Sequence, residues 1–169
     1  MSIGANPKGL QEVMQNLNRE IQGIKGRSMK GLIEAAILIR RDMESTPPLT
    51  PVDLGNLRAS WFVVTTKGEQ TGGSPQFKGR TDSEKKRATE MTAIHSATVS
   101  TLQAQAGVYK TVERLYMGFS ANYAGQVHEM MGEVAWKRPG SGPKWFEAAI
   151  KRNSKRIVEI VRQNARVKK

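Results

Sequence analysis

Two adjacent prolines, Pro47 and Pro48, constrain this chain more than any other feature. Proline lacks an amide donor and biases the residue before it away from the helical region, so a helix arriving from upstream has to stop there. Upstream, Leu10, Val13, Met14, Leu17, Ile21 and Ile24 recur at three- and four-residue spacings, which places them on one helical face. Gly23 and Gly26 interrupt the run, and a second set follows at Met29, Leu32, Ile33, Ala36, Ile37 and Met43. The pattern predicts a short amphipathic helix, then a second one that ends near Glu44.

Downstream, TPPLTPVDLG leads through Asn56–Ser60 into WFVVTT, whose aromatic and β-branched residues predict a strand. Residues 67–92 are rich in glycine and alternating charge and almost free of apolar side chains, so a mobile loop or long hairpin tip is expected there. Moderate alternation over 97–106, then Val108-Tyr109 and Leu115–Phe119, predict further strands. Asn122–Glu129 reads as a short helix or turn. The glycine- and proline-rich WKRPGSGP precedes a last helix over about 144–166. The expected fold class is α+β: a small, mostly antiparallel sheet packed with N-terminal helices and a long C-terminal helix. A length of 169 residues suits one domain.

The formal charge is +12, and residues 137–169 hold most of the excess, with 11 lysines and arginines against 2 acidic residues. Such segregation points to a localised contact with something anionic, or to a solvated basic helix face. On a wheel of 100° per residue, Lys144, Lys155, Arg162 and Arg166 all fall within about 60° of Lys151. Phe146, Ala149, Ile150, Ile157, Ile160, Val161 and Asn164 take the other side. One face is expected to pack, while the other presents five cations in register.

The inventory for catalysis is thin. Cysteine is absent, which removes disulfides, thiolate metal sites and a thiol nucleophile together. Of the two histidines, His95 adjoins the polar segment and is expected to be solvated, and His128-Glu129 lacks the second histidine of a metal-binding HExxH. Asp53 is expected to accept backbone amides in a turn, with Gly55 supplying an unusual backbone angle. No phosphate-cradling glycine loop or GxSxG elbow occurs. No catalytic residue, cofactor or metal is therefore expected. The N-terminus lacks a basic segment followed by an apolar run, and no eighteen apolar residues occur together, so a soluble protein made and used without export or membrane contact is expected.

TPVDLGNLRASW resembles the signature loop of the Hong Kong 97 phage gene-product-10-like tail components, through Pro51, Val52, Asp53, Gly55, Leu57, Arg58 and Ser60. Asn122, Tyr123, Ala124, Val127, His128 and Glu129 resemble that family's tyrosine-alanine segment. Gly142-Pro143-Lys144-Trp145-Phe146, followed by Ala148-Ala149-Ile150, resembles the entry to its closing helix. Met130-Met131-Gly132 stands where the family usually has Phe-Gly-Thr, and 67–92 is longer than usual.

The resemblance implies a non-enzymatic homo-oligomeric ring subunit of the virion neck or upper tail, assembled in the bacterial host cytoplasm. Its implied partners are other neck, connector or tail-tube proteins, with possible non-specific contact with double-stranded DNA. Lys144, Lys151, Lys155, Arg162 and Arg166 would then line a lumen or meet an acidic neighbour. The residues alone also leave open a sequence-independent nucleic-acid-binding protein acting through its basic last helix.

Overall fold

A computed structural model describes residues 7–71, 75–108, 112–132 and 134–166. The chain before the prolines forms one helix, α1, Pro7–Ser45. The two helices expected there are therefore continuous through Gly23 and Gly26. An interior glycine costs about 1 kcal/mol relative to alanine but keeps its amide hydrogen, so it weakens a helix without ending it. The prolines do end it, one residue past the expected Glu44.

After the turn come α2 (Asn56–Ala59), β1 (Trp61–Thr65) and β2 (Gly68–Glu69). These are followed by α3 (Asp82–Val108), β3 (Tyr116–Phe119), α4 (Ala124–Glu129) and α5 (Trp145–Ala165). The three strands form an antiparallel sheet in the order β2-β1-β3, with Trp61 opposite Phe119 and Val64 opposite both Tyr116 and Glu69. The fold is α+β, as expected.

β1 is buried along its whole length because both faces of the sheet are covered. Trp61 and Val63 face α1 and α5 and join a core with Ile39, Met43, Trp145 and Ala149. Trp61 meets Phe119 and Phe146 edge-on, at 5.3 and 5.8 Å between ring centroids. Phe62 turns the other way, toward His95 of α3. α1 and α5 run antiparallel, tied by Arg152–Asp42 at one end and Asn164–Glu34 at the other. At Gly31 the two backbones come so close that a Cβ would lie 2.9 Å from the Cα of Val161.

The largest departure from expectation is α3. Residues 82–92, expected as mobile chain, and 97–106, expected as a strand, are one helix; β2 also lies within 67–92. Its start is a reciprocal capping box: the Glu84 amide donates to the Thr81 hydroxyl (3.2 Å), and the Glu84 carboxylate accepts from the amides of Thr81 and Arg80 (3.1 and 2.6 Å). Its buried face is built from Ala88, Met91, His95 and Ala106, at helical spacing but with little hydrophobic bulk. The expected strand at Val108-Tyr109 is not found: Val108 closes α3, and Tyr109 lies outside the described residues.

Candidate functional site

The 51–60 loop is built to turn the chain from α1 into β1. Gly55 takes φ 87°, the left-handed region that glycine enters without strain, and its carbonyl accepts the Ala59 amide at 2.9 Å. Leu57 plugs the core, and the buried Ser60 hydroxyl donates to the Leu57 carbonyl at 2.8 Å. Asp53 behaves differently from expectation. Gly55, not Asp53, caps α2, and the Asp53 carboxylate stands in solvent, paired with Lys137 at 2.5 Å and Arg80 at 3.9 Å. The Lys137 hydrogen bond holds its carboxyl below the usual carboxylate range.

Arg58 belongs to a cation-rich cluster that the sequence did not disclose. The Glu44 carboxylate accepts from Arg58 Nε at 2.9 Å and from Arg138 Nη1 at 2.8 Å, with Arg40 Nη1 at 3.4 Å. Arg138 also donates to the carbonyls of Glu44 and Thr50, clamping the turn that follows α1. Three guanidiniums thus share one carboxylate. Burial holds Arg40 below its ordinary value, Glu44 opposes the shift, and Arg58 and Arg138 add to it.

Pro51, Val52, Asp53 and Leu57 of the first family-like segment line one groove of about 300 Å³ together with Tyr123 and Val127 of the second. Burial raises the Tyr123 hydroxyl pKa, and the Asp53 charge adds to this. Ala124 is buried at the start of α4. The third segment joins at Lys144, whose amide donates to the His128 carbonyl at 2.9 Å and whose ammonium pairs with Glu129. His128 Nδ1 lies 2.8 Å from Glu129 and the ring sits edge-on to Trp145. Three segments distant in sequence therefore share one corner of the molecule.

Of the five cations expected in a stripe, α5 presents Lys151, Lys155 and Arg162 as exposed side chains, while Arg166, also exposed, lies just past the helix end with an extended ψ of 137° and so leaves the helical register. Lys144 departs from the expectation. It caps α5 in the left-handed region (φ 58°) and is held by Glu129 and Glu147. The Glu129 hydrogen bond raises its pKa. Lys151 is partly neutralised by Glu147 at 2.6 Å. Val158, 55% exposed, interrupts the basic face. The opposite face packs as expected through Ala149, Ile157 and Asn164, whereas Ile150 is 36% exposed.

His95 was expected in solvent and is instead 3% exposed. Its Nδ1 lies 2.8 Å from the Ser120 hydroxyl, and its Nε2 lies 3.2 and 3.3 Å from the Glu69 carboxylate. Serine, histidine and glutamate in a row suggest nucleophilic chemistry. Ser120, however, also bonds the Ser60 carbonyl, and Phe62 and Phe77 wall the imidazole. The row joins α3, both edges of the sheet and the end of the motif loop as a clamp. The available signal was spacing: His95 falls four residues after Met91, on the buried face.

Among the described residues no group of three or more His, Asp or Glu side chains is placed to hold a metal, and no helix is long and apolar enough to cross a membrane. Comparison with protein-family models, curated proteins and solved structures gives no match.

Proposed function

We propose that this chain is a structural, non-enzymatic subunit of a tailed-bacteriophage virion, forming a ring in the neck or upper tail through which DNA passes. The observation that carries this reading is the convergence at one corner of three family-like segments. The loop of Pro51–Ser60, the Tyr123–Glu129 segment and the Lys144-Trp145 entry to α5 meet through the shared groove and the Lys144–His128 and Lys144–Glu129 contacts. Segments that a fold holds together in space are more informative than the same residues scattered along a chain, because packing couples them. The neighbours are then connector, neck or tail-tube proteins, and the assembly site is the host cytoplasm.

The exposed Lys155, Arg162 and Arg166 fit a lumen wall, where cations attract phosphates without reading bases. The same three side chains are the observation that favours the second reading, an independent sequence-neutral DNA-binding protein. Antibody labelling of purified virions from the phage encoding the chain separates the two. Label at the head–tail junction, with DNA-filled heads and unjoined tails when the gene is deleted, is the expected result. A chain missing from virions, with intact particles in the deletion, overturns the neck reading.

A further inference from the structure

Two surface features of α1 have no counterpart among the described residues of their own chain. The first is its N-terminal half. Every described side chain from Gln11 to Gln22 is exposed, including Met14 at 56%, Leu17 at 59% and Ile21 at 41%. These three apolar residues share one helical face, where a surface helix in water would normally carry polar side chains. Glu20 stands at the edge of that face, in an exposed pair with Arg27 at 2.8 Å.

The second is a groove of about 430 Å³ between α1 and β1. Its floor is apolar, with Ile33, Ile37 and Trp61, and Ile37 is 56% exposed. Its rim carries Glu69, whose carboxylate is held by His95, and Arg40 and Arg58, two members of the cluster in which three guanidiniums share the single carboxylate of Glu44. Nη1 of Arg40 is buried there, 3.4 Å from the Glu44 carboxylate but without a hydrogen bond among the described residues. An apolar floor with a surplus of positive charge at its rim suits an amphipathic helix that carries a carboxylate beside its apolar face.

The exposed half of α1 has that composition, and its spacing matches: Leu17 and Ile21 are four residues apart, as are Ile33 and Ile37. The two features cannot meet within one molecule. Both lie on a single unbroken helix, about 24 Å apart along its axis at 1.5 Å per residue and roughly 160° apart around it at 100° per residue. The contact has to be made between molecules.

We infer that the N-terminal half of α1 of one subunit docks into the α1–β1 groove of a second copy of this chain. Leu17 and Ile21 lie on Ile33, Ile37 and Trp61, and Glu20 turns toward Arg40 and Arg58. Because the two patches differ, the contact is head-to-tail, the type that repeats from subunit to subunit and closes into a ring when the rotation permits. The inference rests on the ring reading above and specifies its interface.

Sedimentation velocity on the full chain over a concentration series tests it. Two variants are compared with the parent: Leu17→Glu with Ile21→Glu, which disables the inserting helix, and Ile37→Glu, which disables the groove. Unfolding midpoints establish that each remains folded, as exposed positions predict. The parent should self-associate, and each variant should need at least about a tenfold higher concentration to do so. An equimolar mixture of the two should form a heterodimer and nothing larger, since one working helix and one working groove remain.

A parent that stays monomeric throughout overturns the inference. So does a mixture that stays monomeric. Association that survives Ile37→Glu but is lost in the helix variant also overturns it, because the helices then pair with each other. Virion labelling tests the neck reading separately: a chain found at the junction that fails here loses this interface and keeps its proposed role.

Discussion

His95 and Ser120 are joined across the sheet by a 2.8 Å contact between Nδ1 and Oγ, although 25 residues separate them. Glu69 holds the other ring nitrogen, so removing the imidazole takes one partner from the buried Ser120 hydroxyl, which keeps the Ser60 carbonyl, and one from the half-buried Glu69 carboxylate, which keeps Thr71. His95→Ala should destabilise the fold by about 2–4 kcal/mol, through a cavity and lost hydrogen bonds. Ser120→Ala should cost about 1 kcal/mol. Urea unfolding of both singles and the double should give non-additive losses, since the side chains share one network.

Gly31 and Gly26 lie in the same helix and should respond with opposite signs. A Cβ at Gly31 would press on the Val161 backbone at 2.9 Å, whereas nothing lies within 4 Å at Gly26. Gly31→Leu should cost about 1–3 kcal/mol by forcing α1 from α5. Gly26→Ala should stabilise by about 0.5–1 kcal/mol through the smaller entropy loss of alanine. Thermal unfolding midpoints of the two variants check the pair.

Thr81→Ala removes the hydroxyl that accepts the Glu84 amide. The expected loss is about 0.5–2 kcal/mol. Hydrogen exchange should quicken at the first turn of α3 and leave the amides near Met91 and His95 slow.

The Glu129–Lys144 pair sets a pH dependence with two limbs. Its hydrogen bond to Lys144 lowers the folded-state pKa of Glu129, so that contribution is present above the ordinary carboxylate range and is lost as pH falls through the lowered value. Lys144 is raised by the same hydrogen bond, so its contribution is present below the ordinary lysine range and is lost as pH rises through the raised value. The difference in unfolding midpoint between the parent and Glu129→Gln should therefore be greatest between those ranges and shrink at both extremes.

If the basic face meets DNA, replacing Lys155, Arg162 and Arg166 together by glutamine should weaken binding equally for unrelated duplexes. It should also reduce the slope of log K against log salt by about 3, since each phosphate contact contributes about 0.9. Fluorescence anisotropy across a salt series measures both. An unchanged slope would place DNA elsewhere.

The sequence made some elements plain because their signals were local. The prolines marked the end of α1 to one residue, and Trp61–Thr65 announced β1 by side-chain type. The last helix, expected over 144–166, runs Trp145–Ala165. α3 was hidden because Ala88, Met91, His95 and Ala106 make a buried face with little hydrophobicity, while Val99, Thr101, Gln103 and Gln105 mimic a strand's alternation. The pairing of Lys144 with Glu129, 15 residues away, and of Arg152 with Asp42, 110 away, depends on tertiary structure that a helical wheel does not contain. The capping box at Thr81-Asp-Ser-Glu84 was legible, and it was the available sign that a helix begins there.

The continuity of α1 also fixes a length. Thirty-nine residues at 1.5 Å each make a rod of about 58 Å with no hinge at its glycines. Force applied near Leu17 is therefore delivered to the strand beside Ile37 without being absorbed by bending in between. A chain broken at Gly23 and Gly26 would let its tip swing and accept neighbours at many angles. The unbroken rod acts as a ruler: it holds the tip at one distance and bearing from the body, so the proposed joint, if made through it, would repeat the same step.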